Sequence, residues 1–256
     1  MATYKIVSCN ARTQVALDGE QQFINRVDFL SEKLLSLDAD VIGFQELTES
    51  MRAQIIARMP TYAFLGAGRD SRRLSEGSVI AVKQSRLIIE RLYSDILSPT
   101  PSIPGSTYGI DQSSCPRIFS SVDLMPLEGG RPFRLMNVHT DHIGKTARVL
   151  EVEQMLTSYY AQNALRPMPT VLTGDFNALP DAPEIKLITN SGIFKDLTNG
   201  IKGTFHGFGK CDDLKIDYIF ASAEWECRAV NSYRDRKDNL YLSDHDIVEA
   251  VVSIED

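Results

Sequence analysis

The sequence lacks the patterns that announce several common chemistries. Its four cysteines, Cys9, Cys115, Cys211 and Cys227, are scattered with no CxxC pair, so neither a zinc site nor a disulfide framework is indicated. It has no GxxxxGKS or GxxxxGKT phosphate loop, no GxGxxG after the first strand and no GxSxG elbow. Those absences weigh against a kinase, a dinucleotide enzyme and a serine hydrolase. No stretch approaches the ~20 apolar residues that a membrane span needs. The opening residues, MATYKIVSCN, enter a strand pattern at once and do not show the charged-then-apolar run of a signal peptide. A reducing cytoplasm is the expected compartment, and no membrane partner is expected. Positive charge is also short. With 27 Lys and Arg against 34 Asp and Glu the formal net charge is -7, so there is no overall basic footprint for nucleic acid. A local basic groove on an acidic protein stays open.

What is present is an ordinary globular composition, 43% apolar and 24% charged over 256 residues. There is no repeat of fixed period, no low-complexity tract and no linker, so one domain over residues 1–256 is expected. Helical spacing of apolar residues appears over 23–37, 50–59, 145–163 and 183–190, the third being the clearest. Strands are expected at 4–8, 41–44, 117–124, 133–140, 169–172, 215–221, 227–233 and 247–254. YAFLG precedes two further apolar runs, SVIAVK and LIIERLYS. Gln84-Ser85-Arg86 separates those two and predicts a hairpin. The turn Glu128-Gly129-Gly130 predicts another. From Ser98 to Pro116 the chain is rich in Pro, Ser and Gly without periodicity; long irregular loops are usually functional or disordered. Many strands with a few helices between them argue for a mixed α/β sandwich.

The stretch MPTVLTGDFNALP, residues 168–180, holds a short buried strand that ends at Gly174, with Asp175 and Asn177 directly after it. Functional side chains often sit where a strand hands over to a loop. Gly, Asp and Asn are equally ordinary turn formers. Repetition separates the two readings. Asn10, Glu46, His139 with Asp141, Asp175 with Asn177, and Asp244 with His245 all flank apolar runs, and Asp217 interrupts the strand KIDYIF. A carboxylate inside an apolar strand needs a partner, and His245 and its neighbours are the obvious candidates. Three of the four histidines, at 139, 142 and 245, fall in such clusters, and the fourth, His206, lies in the Gly-rich segment 203–209. Oxygen-rich donors with few nitrogens suit Mg²⁺ or Mn²⁺ better than zinc. With His–Asp pairs for acid–base work, the set fits metal-assisted phosphoester hydrolysis.

In order along the chain, VSCN (7–10), FQE (44–46), NVHTDH (137–142), GDFN (174–177), IDYIF (216–220) and SDH (243–245) resemble the endonuclease/exonuclease/phosphatase superfamily. The resemblance implies a four-layer α/β sandwich: two mixed sheets face to face, helices outside, and the site at one end. By similarity Glu46 and Asn10 would hold the divalent metal, with Asp244 supporting that region. Asp175 would orient or activate water, Asn177 would stabilise the transition state, and His245, oriented by Asp217, would contact phosphate or serve as acid or base. His139 would be the second phosphate-contacting histidine.

LSPTPSIPGSTYG (97–109), CPRIFS (115–120), HTDHIGKTAR (139–148) and GTFHGF (203–208) are similar to a bacterial subgroup described as metal-dependent hydrolases. That similarity adds Arg117, Asp141, His142, Arg148 and His206 to the pocket. Arg117 and Arg148 could fork onto phosphate or form plain salt bridges, and His142 could cap the loop into the following helix. Where the subgroup shows a Glu-Tyr-Asn type sequence this chain has Glu76-Gly77-Ser78, a difference that bears on substrate choice.

The expected activity is Mg²⁺- or Mn²⁺-dependent hydrolysis of a phosphomonoester or phosphodiester, a small phosphorylated substrate being favoured. The alternative is a nuclease on DNA or RNA. Its phosphate-tracking basic residues would be Arg69, Arg72 and Arg73 or the segment YRDRK (233–237). A non-catalytic module is disfavoured because positions 46, 175, 217 and 245 are intact. A lipid phosphodiesterase would call for an exposed apolar hairpin or a basic amphipathic helix, and neither is seen.

Overall fold

Strands that are apolar on both faces must be covered on both, and most strands of this chain are of that kind. In the computed structural model, which describes residues 1–255, the first half of the chain runs β1 (Ala2–Asn10), α1 (Phe23–Leu37), β2 (Val41–Leu47), α2 (Glu49–Arg58), β3 (Tyr62–Leu65), β4 (Gly77–Lys83), β5 (Leu87–Ile96) and β6 (Ile118–Pro126). There follow β7 (Phe133–His139), α3 (Lys145–Leu165), β8 (Thr170–Asp175), α4 (Pro183–Thr189), β9 (Phe194–Asp196), β10 (Asp217–Ser222), β11 (Glu226–Tyr233), β12 (Arg236–Lys237), β13 (Leu240–Tyr241) and β14 (Ile247–Ile254). The strands β9, β12 and β13 carry two or three residues each and give no readable alternation.

Two six-stranded mixed sheets result, ordered β11-β14-β1-β2-β4-β3 and β5-β6-β7-β8-β10-β9. The pairs β1–β2 and β7–β8 are parallel. The sheets pack face to face through Tyr4, Ile6, Val41 and Ile80 on one side and Val122, Leu135, Val171 and Ile219 on the other. The helices α1 and α2 cover the outer face of the first sheet with Val27, Leu30, Met51 and Ile55. The outer face of the second is covered by α3 and α4 through Val152, Met155, Ile185 and Ile188. This is the four-layer sandwich expected.

The turn at 128–130 joins β6 and β7 as an antiparallel pair, and no helix or strand lies between Ile96 and Ile118. The hairpin predicted at Gln84-Ser85-Arg86 does not form. β4 pairs with β2 and β3 in the first sheet, while β5 is an edge strand of the second, so this link carries the chain across the sandwich. Burial explains the difference. β4 is buried along all but its last residue, whereas β5 exposes Ile88, Glu90, Arg91 and Leu92. A short polar link marks a change of direction and does not say to which sheet the next run returns.

At Gly43 the two sheets approach closely. A Cβ there would lie 2.2 Å from Thr173 Oγ1 and 2.8 Å from Asn137 Oδ1. Gly43→Ala is expected to lower stability by about 1–3 kcal/mol through overpacking, read from a denaturant melt. An unchanged midpoint would show that the sheets part easily at this point.

Candidate active site

Strand ends from both sheets converge at one end of the sandwich. Parallel pairing of β7 with β8 sets His139 beside Asp175, and antiparallel pairing of β8 with β10 sets Asp175 beside Asp217. From the other sheet come Asn10 at the end of β1, Glu46 near the end of β2, and Asp244 and His245 just before β14. The ladder between β2 and β4 slips between Phe44 and Leu47. There Glu46 has φ +60°, as Arg12 (+52°) and Asn177 (+48°) also adopt left-handed backbone. Asn tolerates that region, while for Glu it is strain of the kind that clusters at functional sites.

The side chains interlock across the sheets. Asn10 Nδ2 donates to Glu46 Oε1 (3.1 Å) and to Asp175 Oδ2 (2.9 Å), and its Oδ1 accepts from the Arg12 N–H (2.9 Å). Glu46 Oε2 accepts from the Thr13 N–H (2.8 Å), and Asp175 Oδ1 from the Asn177 N–H (2.9 Å). The Asn177 amide reaches His139 Nε2 and the Thr140 carbonyl, both at 3.1 Å. Asp217, buried in its strand, holds His245 Nδ1 at 2.8 Å, the partner that its sequence context required. His245 Nε2 then lies 3.8 Å from Asp175 Oδ2.

This arrangement separates two histidines of the same type. Burial alone would lower the His245 pKa, but the charges of Asp217, Asp175 and Asp244 outweigh it and hold the imidazole well above its usual value. His139 is pushed well below by burial and by the charges of Arg117 and Arg69, so it stays neutral. Burial and Asp217 raise the Asp175 carboxyl to about 7. Burial would also raise Glu46, but the Thr13 N–H and the charges of His245 and Arg12 keep it low.

The resulting cleft has a volume of about 450 Å³. Glu46, Asp175 and Asp244 line it together with His139, His245 and Asn177, while Asn10 and Asp217 act from behind the lining. Glu46, Asp175 and His245 offer ligand atoms within 4.8 Å of one another. Because Asp217, Asp175 and Asp244 hold His245 protonated, the donors free for a cation are the carboxylates, of which Asp175 is raised chiefly by burial and then by the charge of Asp217. The set fits a hard divalent ion.

The additional pocket residues divide. Arg117 and His142 line the cleft, and His142 Nδ1 meets Arg117 Nη2 at 2.7 Å, so His142 is no helix cap. Capping falls to Asp111, which accepts from the N–H groups of Thr146 and Ala147. Asp141 is fully buried behind the lining, bonded to the N–H groups of Ser113, Ile143 and Gly144. Arg148 does not reach the cleft. It pairs with Glu184 (2.5 Å) and donates to the Asp141 carbonyl (3.0 Å), the plain salt bridge. His206 is turned away too, accepting from the Gly209 N–H (3.1 Å) with Nε2 3.5 Å from Asp246. Sequence reasoning missed Arg12 and Cys115 and the apolar side Phe205, Leu214 and Ile216, marked Glu76 only for its bearing on substrate choice, and did not separate Arg69 from its basic neighbours.

Fold and cleft together define an α/β sandwich with a carboxylate–histidine site at its strand ends. Residues 8–245 match the Endonuclease/Exonuclease/phosphatase family, and the chain belongs to it. Among similar solved structures, an endonuclease/exonuclease/phosphatase from Bacteroides vulgatus is 24% identical over 100% of both chains, with a TM-score of 0.91. A mannosyl-6-phosphatase from Bacteroides thetaiotaomicron is 25% identical over 98% of this chain and 100% of its own, with a TM-score of 0.88. D. rerio TDP2 complexed with a single-strand DNA product shares the fold at 16% identity over 99% of this chain and 100% of its own, with a TM-score of 0.71. No curated protein sequence matches significantly.

Behind Asp141, Glu151 of α3 is fully buried and accepts the Asp141 N–H at 2.8 Å. Burial pushes its carboxyl from 4.5 up to about 8. The folded protein thus keeps a proton that the unfolded chain has released, so stability falls as pH rises from about 4.5 towards 8. Glu151→Gln preserves the acceptor without the charge. Its midpoint in denaturant melts is expected to exceed that of the parent increasingly across this window, and parallel pH profiles would refute the assignment.

Proposed function

We propose that the protein is a divalent-metal-dependent phosphoesterase acting on a small phosphorylated substrate. The observation that carries this reading is one cleft in which three carboxylates, Glu46, Asp175 and Asp244, stand beside a histidine held protonated. Glu46 and Asp175 would hold the ion, with Asp244 adding charge and Asn10 fixing the two carboxylates relative to each other. Mg²⁺ or Mn²⁺, when bound, would neutralise phosphoryl oxygens and lower the pKa of a water. Asp175 orients the attacking water and accepts its proton as the water oxygen bonds to phosphorus, while the P–O ester bond breaks and the departing oxygen keeps the bonding pair and takes a proton from solvent. Cationic His245, kept so by Asp217, donates Nε2–H to a phosphoryl oxygen, and Asn177 and neutral His139 complete the contacts.

A small substrate is favoured over a polynucleotide because basic side chains of the segment 233–237 are paired with the protein's own carboxylates. Arg234 pairs with Asp213 and Asp246, Lys33 with Asp235 and Lys237 with Glu32. Among the described residues no helix is long and apolar enough to cross a membrane. The sugar phosphatase among the similar structures supports the same choice, while the TDP2 likeness is one of fold alone.

Hydrolysis of p-nitrophenyl phosphate and bis-p-nitrophenyl phosphate tests the reading. Turnover should require Mg²⁺ or Mn²⁺, vanish in EDTA, and fall about 10²–10⁴-fold in Asp175→Asn and in His245→Ala. Turnover indifferent to EDTA and to both substitutions would refute it. Independently of activity, Mg²⁺ should raise the melting temperature of the parent and have little effect on Glu46→Gln; equal shifts would remove Glu46 from the metal site.

A further inference from the structure

A second charged group in the cleft is built as carefully as the carboxylates. Arg117 is 1% exposed; its Nε lies 3.3 Å from Asp141 Oδ2 and its Nη2 meets His142 Nδ1, while Nη1 is buried with no hydrogen-bond partner. An unsatisfied buried donor is costly, and such groups in native proteins call for an explanation. Asp141 does not supply it. That carboxylate already accepts from three backbone N–H groups and the Ser113 hydroxyl, and its contact with Arg117 is the longest of the set. Since a guanidinium only donates, His142 Nδ1 is the acceptor and the neutral ring carries its proton on Nε2.

Arg69 adds a second buried guanidinium to the same lining, 2.8 Å from Glu76. Its loop is closely fixed. A Cβ on Gly77 would lie 2.5 Å from the Ala67 carbonyl and one on Gly68 2.6 Å from that of Ser75. The Arg69 N–H bonds Glu76 O and the Gly105 N–H bonds Arg69 O, both at 3.0 Å. The glycines at 68 and 77 therefore let the loop settle against the start of β4, with both Arg69 and Glu76 lining the cleft. The two guanidiniums are close enough to feel one another's charge, and each has a carboxylate of its own, Glu76 beside Arg69 and Asp141 beside Arg117.

We propose that Arg69, Arg117 and His142 form a receptor for the terminal oxygens of a phosphomonoester dianion, making this site a monoesterase. The inference rests on the phosphoesterase reading above and names its substrate class. A monoester presents three non-bridging oxygens and, above its second pKa near 6, close to two charges. In a diester one of those oxygens bears carbon, carries no charge and is a poor acceptor for a buried guanidinium. Sites built to hydrogen-bond a group reject the analogue that lacks it by about 10⁴-fold or more.

Two measurements decide it. In EDTA, calorimetric titration should show inorganic phosphate binding at least 100-fold more tightly than dimethyl phosphate. The charge-neutral double variant Arg69→Gln/Glu76→Gln, confined to one loop, should weaken phosphate binding at least tenfold. Arg117→Lys, which keeps the charge near Asp141 but loses the fork, should do the same. With Mg²⁺, the ratio of kcat/KM for p-nitrophenyl phosphate to that for bis-p-nitrophenyl phosphate should exceed 100 and collapse towards unity in folded variants. Equal binding of the two anions, a preference for the diester, or a ratio unmoved by both variants would overturn the receptor. Loss of Mg²⁺-dependent turnover on both esters in the parent would instead sink the phosphoesterase reading, and the calorimetric comparison would still decide whether the receptor exists.

Discussion

Everything at the candidate site depends on how two sheets are held in register, and Asn137 holds them. From β7 its amide donates to the carbonyls of Phe44 (2.8 Å) and Val79 (3.1 Å) in the opposite sheet, and its Oδ1 accepts from Gln45 Nε2 (2.7 Å) and from Thr173 Oγ1 (3.1 Å). Asn137 and Thr173 stand two residues before His139 and Asp175, and Gln45 directly precedes Glu46. The polar tie therefore lies just beneath the groups that must meet. Apolar packing between sheets is tolerant of sliding, whereas a buried amide whose hydrogen bonds are all made permits one alignment. Gly43 allows the approach that those bonds demand.

Given that alignment, electrostatics divides the labour. His245 faces carboxylates and keeps a proton, while His139 faces guanidiniums and stays neutral. Two residues with the same intrinsic chemistry thus become a hydrogen-bond-donating cation and an uncharged ring within one cleft of about 450 Å³. Asp175 stands in contact with both, 3.6 Å from His139 Nε2 and 3.8 Å from His245 Nε2.

Much of this was legible in the chain itself. Runs such as VIGF and TVLTG are apolar on consecutive residues because both faces of their strands are covered, and that alone announces a layered sandwich. The polar groups ending those runs meet because parallel and antiparallel partners place their ends at one edge. The lone carboxylate in KIDYIF could be matched to His245 because an unpaired charge there is untenable. Less could be seen of side chains whose fate depends on distant partners. Arg148 is claimed by Glu184, 36 residues away, and His206 by Asp246. Arg69 enters the cleft while Arg72, in the same basic cluster, is 81% exposed. The crossing after β4 was likewise invisible, since a three-residue polar link reads alike whether the chain folds back or changes sheets.

The left-handed backbone of Glu46 has a bearing on how such a protein changes over generations. An L-residue there sits about 1–3 kcal/mol above its relaxed state, a penalty that glycine would not carry. Selection of this chain for thermal endurance alone would therefore drift towards glycine at position 46 and erase the carboxylate with it. Robustness and the proposed metal chemistry pull in opposite directions at that position.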